Sequence, residues 1–186
     1  VNFQTFPPGD CDFENIIFPQ QTHSTNIKEV MTGEEDLLDC DGLFTRNPDL
    51  ILGIKTADCA PVVFIGEEKF GIVHAGWRGL VNGILENMLD VFSDDCLHKI
   101  WVGPLHTSFE IQKDDCYAKI KEGFEEEFFD EEEGVILFRF LDAIKSVLPE
   151  HAECSEESTF HNRKWASWRR QKDLSDGQNI TVVGFF

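Results

Sequence analysis

His23, Cys59 and His74 are the side chains of this sequence whose types could do chemistry together. Each stands where an apolar run starts or stops. His23 lies in Gln-Gln-Thr-His-Ser after the run at 16–18, Cys59 in Thr-Ala-Asp-Cys after the run at 50–54, and His74 opens His-Ala-Gly-Trp-Arg-Gly. Turns at strand ends aim side chains into a common cleft, so the three are expected to converge. Two imidazoles and a thiolate are a borderline-soft donor set suited to Zn²⁺, with a fourth position left for water. An open site of that kind acts as a Lewis acid and lowers the pKa of the water it binds. Spacing alone also admits a small buried thiol and two histidines held by backbone hydrogen bonds, because there is no compact Cys-x-x-Cys type of motif.

Two basic segments could serve such a cleft. Gly76 and Gly79 bracket Trp77-Arg78 ahead of a helical pattern, a place where backbone N–H groups and a planar guanidinium could hold phosphate or carboxylate. The alternative is a plain strand-to-helix turn with a surface arginine. The second segment, Trp-Ala-Ser-Trp-Arg-Arg at 165–170, could stack a planar base and neutralise an anion, or could be an edge strand carrying surface cations.

The elements that must position these residues read mostly as strands. Short apolar runs rich in Val, Ile and Phe recur at 16–18, 50–54, 61–65, 70–73, 100–102, 135–140 and 180–186. The glycine-containing connection at 66–68 predicts a hairpin. Helices are predicted over 80–92, where Leu80, Ile84, Leu85, Met88 and Leu89 share a face, over 114–129, and over 141–148, ended by Pro149. Strands and helices do not alternate strictly, which points to mixed or antiparallel sheets covered by helices.

A net charge of −19 argues against binding a nucleic-acid backbone through bulk electrostatics. The acidic run at 123–134 reads as the end of an amphipathic helix with a solvated face. No segment is apolar for long enough to span a membrane, and the first residues lack the pattern of a signal peptide. With 186 residues the chain is large enough to bury a core as one domain over 1–186. Its six cysteines are widely spaced, so reduced thiols and a cytoplasmic setting are expected.

Taken in order, Gln-x-His-Ser at 21–24, Asp-Gly-Leu-x-Thr at 41–45, Thr-Ala-Asp-Cys-x-Pro-Val at 56–62, His-Ala-Gly-Trp-Arg-Gly at 74–79 and Val-Gly-Pro at 102–104 resemble a known family. It is the bacterial YfiH-like, laccase-domain family, also labelled polyphenol oxidase or multi-activity purine nucleoside phosphorylase. The resemblance covers most of the chain. It implies an α+β fold with two mixed β-sheets packed face to face and helices outside, a four-layer αββα-like sandwich related to the catalytic domain of cytotoxic necrotizing factor. It implies one zinc held by His23, Cys59 and His74. Gln21, Asp41, Arg78 and Arg169 are the implied substrate contacts, and Asp58, Cys59 and Arg78 the catalytic positions. The implied activity is phosphorolysis of adenosine, inosine, guanosine and methylthioadenosine, with deamination of adenosine. The sequence departs from the family pattern in lacking a Gly-Gly-Val-Ser segment before Gln21, in Phe109 standing at a tyrosine position, and in Ser-Trp-Arg-Arg at 167–170.

Within that reading Asp58 is expected either to shuttle a proton or to orient a ligand, and Arg78 to hold phosphate. Two other chemistries compete. A copper polyphenol oxidase needs many histidines, commonly in His-x-His pairs, and this chain has six with none so paired. A cysteine hydrolase would use Cys59 as nucleophile and His74 as base.

Overall fold

The computed structural model describes residues 1–186, and no helix in it is long and apolar enough to cross a membrane. Its architecture is mixed α+β, with three sheets and few helices. The largest sheet runs, in spatial order, β12 (Glu153–Cys154), β8 (Lys99–Val102), β6 (Ala60–Ile65), β7 (Phe70–Ala75), β4 (Gly42–Thr45) and β3 (Ile27–Glu29). A four-stranded sheet runs β1 (Asn2–Phe6), β13 (Asn179–Gly184), β5 (Ile51–Thr56) and β2 (Ile16–Ile17). A third sheet, which the two-sheet expectation omitted, joins β10 (Phe129–Glu132), β11 (Val135–Phe138) and β9 (Phe109–Ile111).

The continuous apolar run of β6 has a physical reason: this strand is covered on both faces. Val62 and Phe64 point into one hydrophobic cluster with Leu80, Ile84, Leu85 and Met88, whereas Val63 points into another with Leu52, Ile54, Ile72 and Val183. The second cluster is therefore the seam between the two larger sheets. The first lies beneath the helices α1 (Trp77–Val81) and α2 (Ile84–Val91). The β6–β7 hairpin is present, with Ile65 opposite Phe70 as its last pair, so the connection is residues 66–69.

The helical predictions are corrected in two places. The pattern over 80–92 is broken at Asn82-Gly83, where Gly83 takes a left-handed φ of 91° that glycine adopts without steric cost. Arg78 consequently belongs to the short α1 and not to the amphipathic α2. The acidic run stays helical only to Gly123, the end of α3 (Asp115–Gly123). It continues as a 3₁₀ turn at Glu126–Phe128 and then as β10, which reverses into β11 through Glu133 and Gly134, both at positive φ. Two such residues make the tight turn favoured in hairpins. The glutamates remain exposed, as expected of a solvated face. The last helices are α4 (Phe140–Val147) and α5 (Trp168–Gln171), so Trp-Ala-Ser-Trp-Arg-Arg is not an edge strand.

Aromatic packing joins the small sheet to the rest. The Phe138 ring, fully buried, has the rings of Phe109 and Phe124 at 5.6 and 5.8 Å. Phe138→Ala should lower stability by about 3–5 kcal/mol, the usual cost of emptying a buried aromatic site. In urea unfolding this would appear as a fall in midpoint with an unchanged slope.

Candidate metal and substrate site

The three residues expected to converge do so. His23 lies on the loop between β2 and β3, Cys59 closes the turn between β5 and β6, and His74 sits in β7 opposite Pro61. One donor atom from each lies within 4.8 Å of the other two. The Cys59 Sγ is 3.9 Å from His23 Nε2, and the two imidazole rings stand edge to face at 4.7 Å.

The surrounding groups hold this geometry. Asp41 Oδ1 lies 2.7 Å from Nδ1 of the buried His74, which leaves Nε2 of that ring as its free donor. The other oxygen, Oδ2, accepts from the amides of Thr22 (2.9 Å) and Ser24 (2.7 Å), the two neighbours of His23. His23 itself has φ of 63° and Asp58 has φ of 91°, conformations that persist only where surrounding contacts fix them. Gly76 completes the enclosure. A Cβ there would stand 2.8 Å from His23 Cδ2 and 3.0 Å from Cys59 Sγ.

Charge reinforces the arrangement. Burial pushes the Cys59 thiol pKa up, but the neighbouring His74 charge and the His23 and His74 hydrogen bonds outweigh it and bring it down to about 6. Burial would lower His74, yet the Cys59 thiolate and the Asp41 carboxylate raise it to about 9. A thiolate, two imidazoles, a carboxylate fixing one of them and room left by Gly76 fit a borderline metal ion such as Zn²⁺.

The trio opens into a cavity of about 750 Å³ whose wall includes Trp77, Arg78, Phe109, Trp168 and Arg169. Arg78 is exposed, makes no ion pair, and lies with its Cζ 4.5 Å from the centre of the Trp77 ring. Across the cavity the Arg169 guanidinium lies 4.0 Å above Phe109 and donates to the Glu110 carbonyl at 3.1 Å. The segment at 165–170 contributes Trp168 and Arg169 to this wall, whereas sequence reasoning had not put Phe109, Lys55 or Lys172 in it. Phe109 at a position where the family has tyrosine was the one available signal.

The geometry bears on three of the expected roles. Asp41 is fully buried with both oxygens engaged, which favours orienting the trio over the expected substrate contact. Gln21 reaches the cavity wall, but its amide pairs with the Lys55 backbone twice, donating to O and accepting from N at 2.8 Å each. Asp58 accepts from Thr159 Oγ1 (2.8 Å) and from the Arg169 amide (2.7 Å), which favours the positioning role of its two expected roles.

Residues 8–185 match the family described as multi-copper polyphenol oxidoreductase laccase, and the chain belongs to that family. It is 28% identical over 179 residues to a purine nucleoside phosphorylase of Aquifex aeolicus, covering 92% of this chain and 84% of that one. A Staphylococcus epidermidis purine nucleoside phosphorylase is 37% identical over 123 residues, which span 59% of this chain and 45% of the relative. An adenosine deaminase, RL5, from an unknown prokaryotic organism is 33% identical over 91 residues, 42% of this chain and 34% of its own. Among solved structures, the YfiH protein of Bacillus licheniformis superposes with a TM-score of 0.77 at 25% identity, covering 95% of this chain and 76% of that one.

Two substitutions test the supports of the trio. Gly76→Ala should weaken metal binding at least tenfold while leaving the unfolding midpoint nearly unchanged, because its added methyl meets the donors themselves. Asp41→Asn should cost roughly 10- to 100-fold in metal affinity through loss of the imidazole's orientation. Competition against a chromogenic chelator measures both.

Proposed function

We propose that the chain is a zinc-dependent purine nucleoside phosphorylase acting on adenosine, inosine, guanosine and methylthioadenosine, with adenosine deaminase activity. The observation that carries this reading is the joining, in one cavity, of the His23–Cys59–His74 donors with two arginine–aromatic pairs. The names of the relatives support the reaction class.

His23, Cys59 and His74 would hold the ion, which when bound supplies a Lewis acid that brings water towards neutral acidity. The chain's own groups do the rest. A cavity of about 750 Å³ suits a nucleoside plus an anion. Trp77 and the exposed Trp168 offer flat apolar faces for a purine ring, while Phe109 backs Arg169. Arg78, held over Trp77 and unpaired, presents a planar fork to phosphate. The helix to which it belongs has five residues, so the guanidinium and not the helix end supplies the charge. Asp58 fixes the backbone of Arg169 and thereby the far wall. The four-layer sandwich and toxin kinship belong to the same reading, supported by the face-to-face sheets. A cytoplasmic setting also belongs to it, supported by six unpaired thiols.

A multicopper oxidase would need more histidines than the two, His23 and His74, that line the cavity. A cysteine hydrolase is the second reading with an observation behind it, because the Cys59 thiol is drawn down to about 6 beside His74. Elemental analysis of protein purified without added metal separates them: about one zinc per chain supports the phosphorylase reading, and an active metal-free preparation would sink it. Cys59→Ser should lose both zinc and activity while keeping the fold.

Arg78→Ala should lower phosphorolysis roughly 30- to 1000-fold, the equivalent of about 2–4 kcal/mol for a lost charge-assisted contact, while deamination of adenosine changes little. Arg78→Lys should recover part of the loss, and zinc content should be the same in both variants. Equal loss of the two activities would show that Arg78 positions the nucleoside instead.

A further inference from the structure

At the opposite end of the hairpin that carries Cys59 and His74, three other donors stand together. Glu67 in the turn, with Cys96 and His98 on the segment leading into β8, place one ligand atom each within 4.8 Å of the other two. Cys96 Sγ lies 4.0 Å from His98 Nδ1. All three residues are exposed, and the intervening Leu97 packs against the core, so the chain turns its apolar residue inward and its two donors outward.

The backbones that carry these donors are tied to each other. The Glu67 amide donates to the Cys96 carbonyl at 3.1 Å, and the His98 amide to the Ile65 carbonyl at 2.8 Å. Between them the Asp95 carboxylate accepts from the amides of Glu67, Glu68 and Lys69 at 3.1 to 3.2 Å. Gly66 makes room for that carboxylate, since a Cβ there would stand 2.1 Å from Asp95 Oδ2. The scaffold is fixed, and only side-chain rotation is needed to close three donors on one ion.

We propose that Glu67, Cys96 and His98 form a second binding site for a divalent borderline cation, with Zn²⁺ the ion that the donor set favours. A thiolate, an imidazole and a carboxylate are all zinc ligands, whereas Mg²⁺ and Ca²⁺ take oxygen donors. The carboxylates of Glu68 and Asp95 alongside add negative potential. The six-residue strands β6 and β7 separate this site from the His23–Cys59–His74 group by about 20 Å, at roughly 3.3 Å per residue, so the two ions bind independently. The second ion would clip the hairpin turn to the segment entering β8 and would not reach the substrate cavity.

The test uses the full chain stripped with a chelator. Zn²⁺ should slow alkylation of Cys96 by iodoacetamide at least tenfold, as read by peptide mapping, and Mg²⁺ should not. His98→Ala and His98→Gln should abolish the protection of Cys96 while leaving that of Cys59 in place. In a Cys59→Ser background, Co²⁺ should give a thiolate charge-transfer band that saturates at one equivalent and disappears on Cys96→Ser. Equal alkylation of Cys96 with and without Zn²⁺, protection that survives in both His98 variants, or a cobalt band indifferent to Cys96→Ser would each overturn the proposal. None of these outcomes depends on the enzymatic reading of the first site.

Discussion

One buried carboxylate governs the cleft. Asp41 lies immediately before β4, and its two oxygens face different partners: the imidazole of His74 at 2.7 Å and the backbone on either side of His23 at 2.7 and 2.9 Å. Two of the three donors therefore take their position from a single side chain. Removing a fully buried carboxylate from water is costly unless every lone pair is used, and here hydrogen bonds surround it. Burial would raise its pKa, but His74 and the amides of Thr22 and Ser24 hold it down to about 2, so it is ionised wherever the protein is folded near neutrality. The imidazole tautomer, the turn at His23 and the charge on the pair are consequences of this one placement.

The same logic recurs on the other wall. Asp58, in the turn just before Cys59, binds Thr159 and the amide of Arg169, residues far along the chain. His106 is tied to the same turn through its amide on the Asp58 carbonyl at 2.9 Å and stacks on Phe160 at 4.5 Å. A short segment between β5 and β6 thus gathers a donor, a carboxylate and two aromatic neighbours. Gly76, across from it, contributes by having no side chain.

The trio and the β6–β7 hairpin were legible because residue type and spacing express them directly. Asp41 was visible as a motif residue, but its role was not. That role depends on the register of β4 against β7, in which Gly42 faces Val73 and so sets Asp41 beside His74. Pairing between strands distant in sequence leaves no trace in a local pattern. The break at Asn82-Gly83 was overridden in the sequence reading by a strong apolar stripe, although glycine within such a stripe is itself a stop signal. The run at 123–134 misled because its phenylalanines fit a helical period, whereas Phe129 pairs across to Phe138 in a hairpin. The third sheet and the wall formed by Phe109 and Arg169 arise from tertiary contacts of that kind.

The way β1 and β13 pair has a kinetic consequence. Asn2 lies opposite Gly184, and β13 in turn pairs with β5, so the smaller of the two facing sheets closes only through contacts spanning nearly the whole sequence. The β6–β7 hairpin is local, and elements of that type form in microseconds, whereas domains dominated by distant pairings fold over milliseconds to seconds. Cys59 and His74 therefore belong to the locally paired part of the fold, whereas Arg169 joins the wall through contacts 59 and 111 residues distant. The strands that carry two of the donors are thus closed by nearby pairings, and the chamber beside them by distant ones.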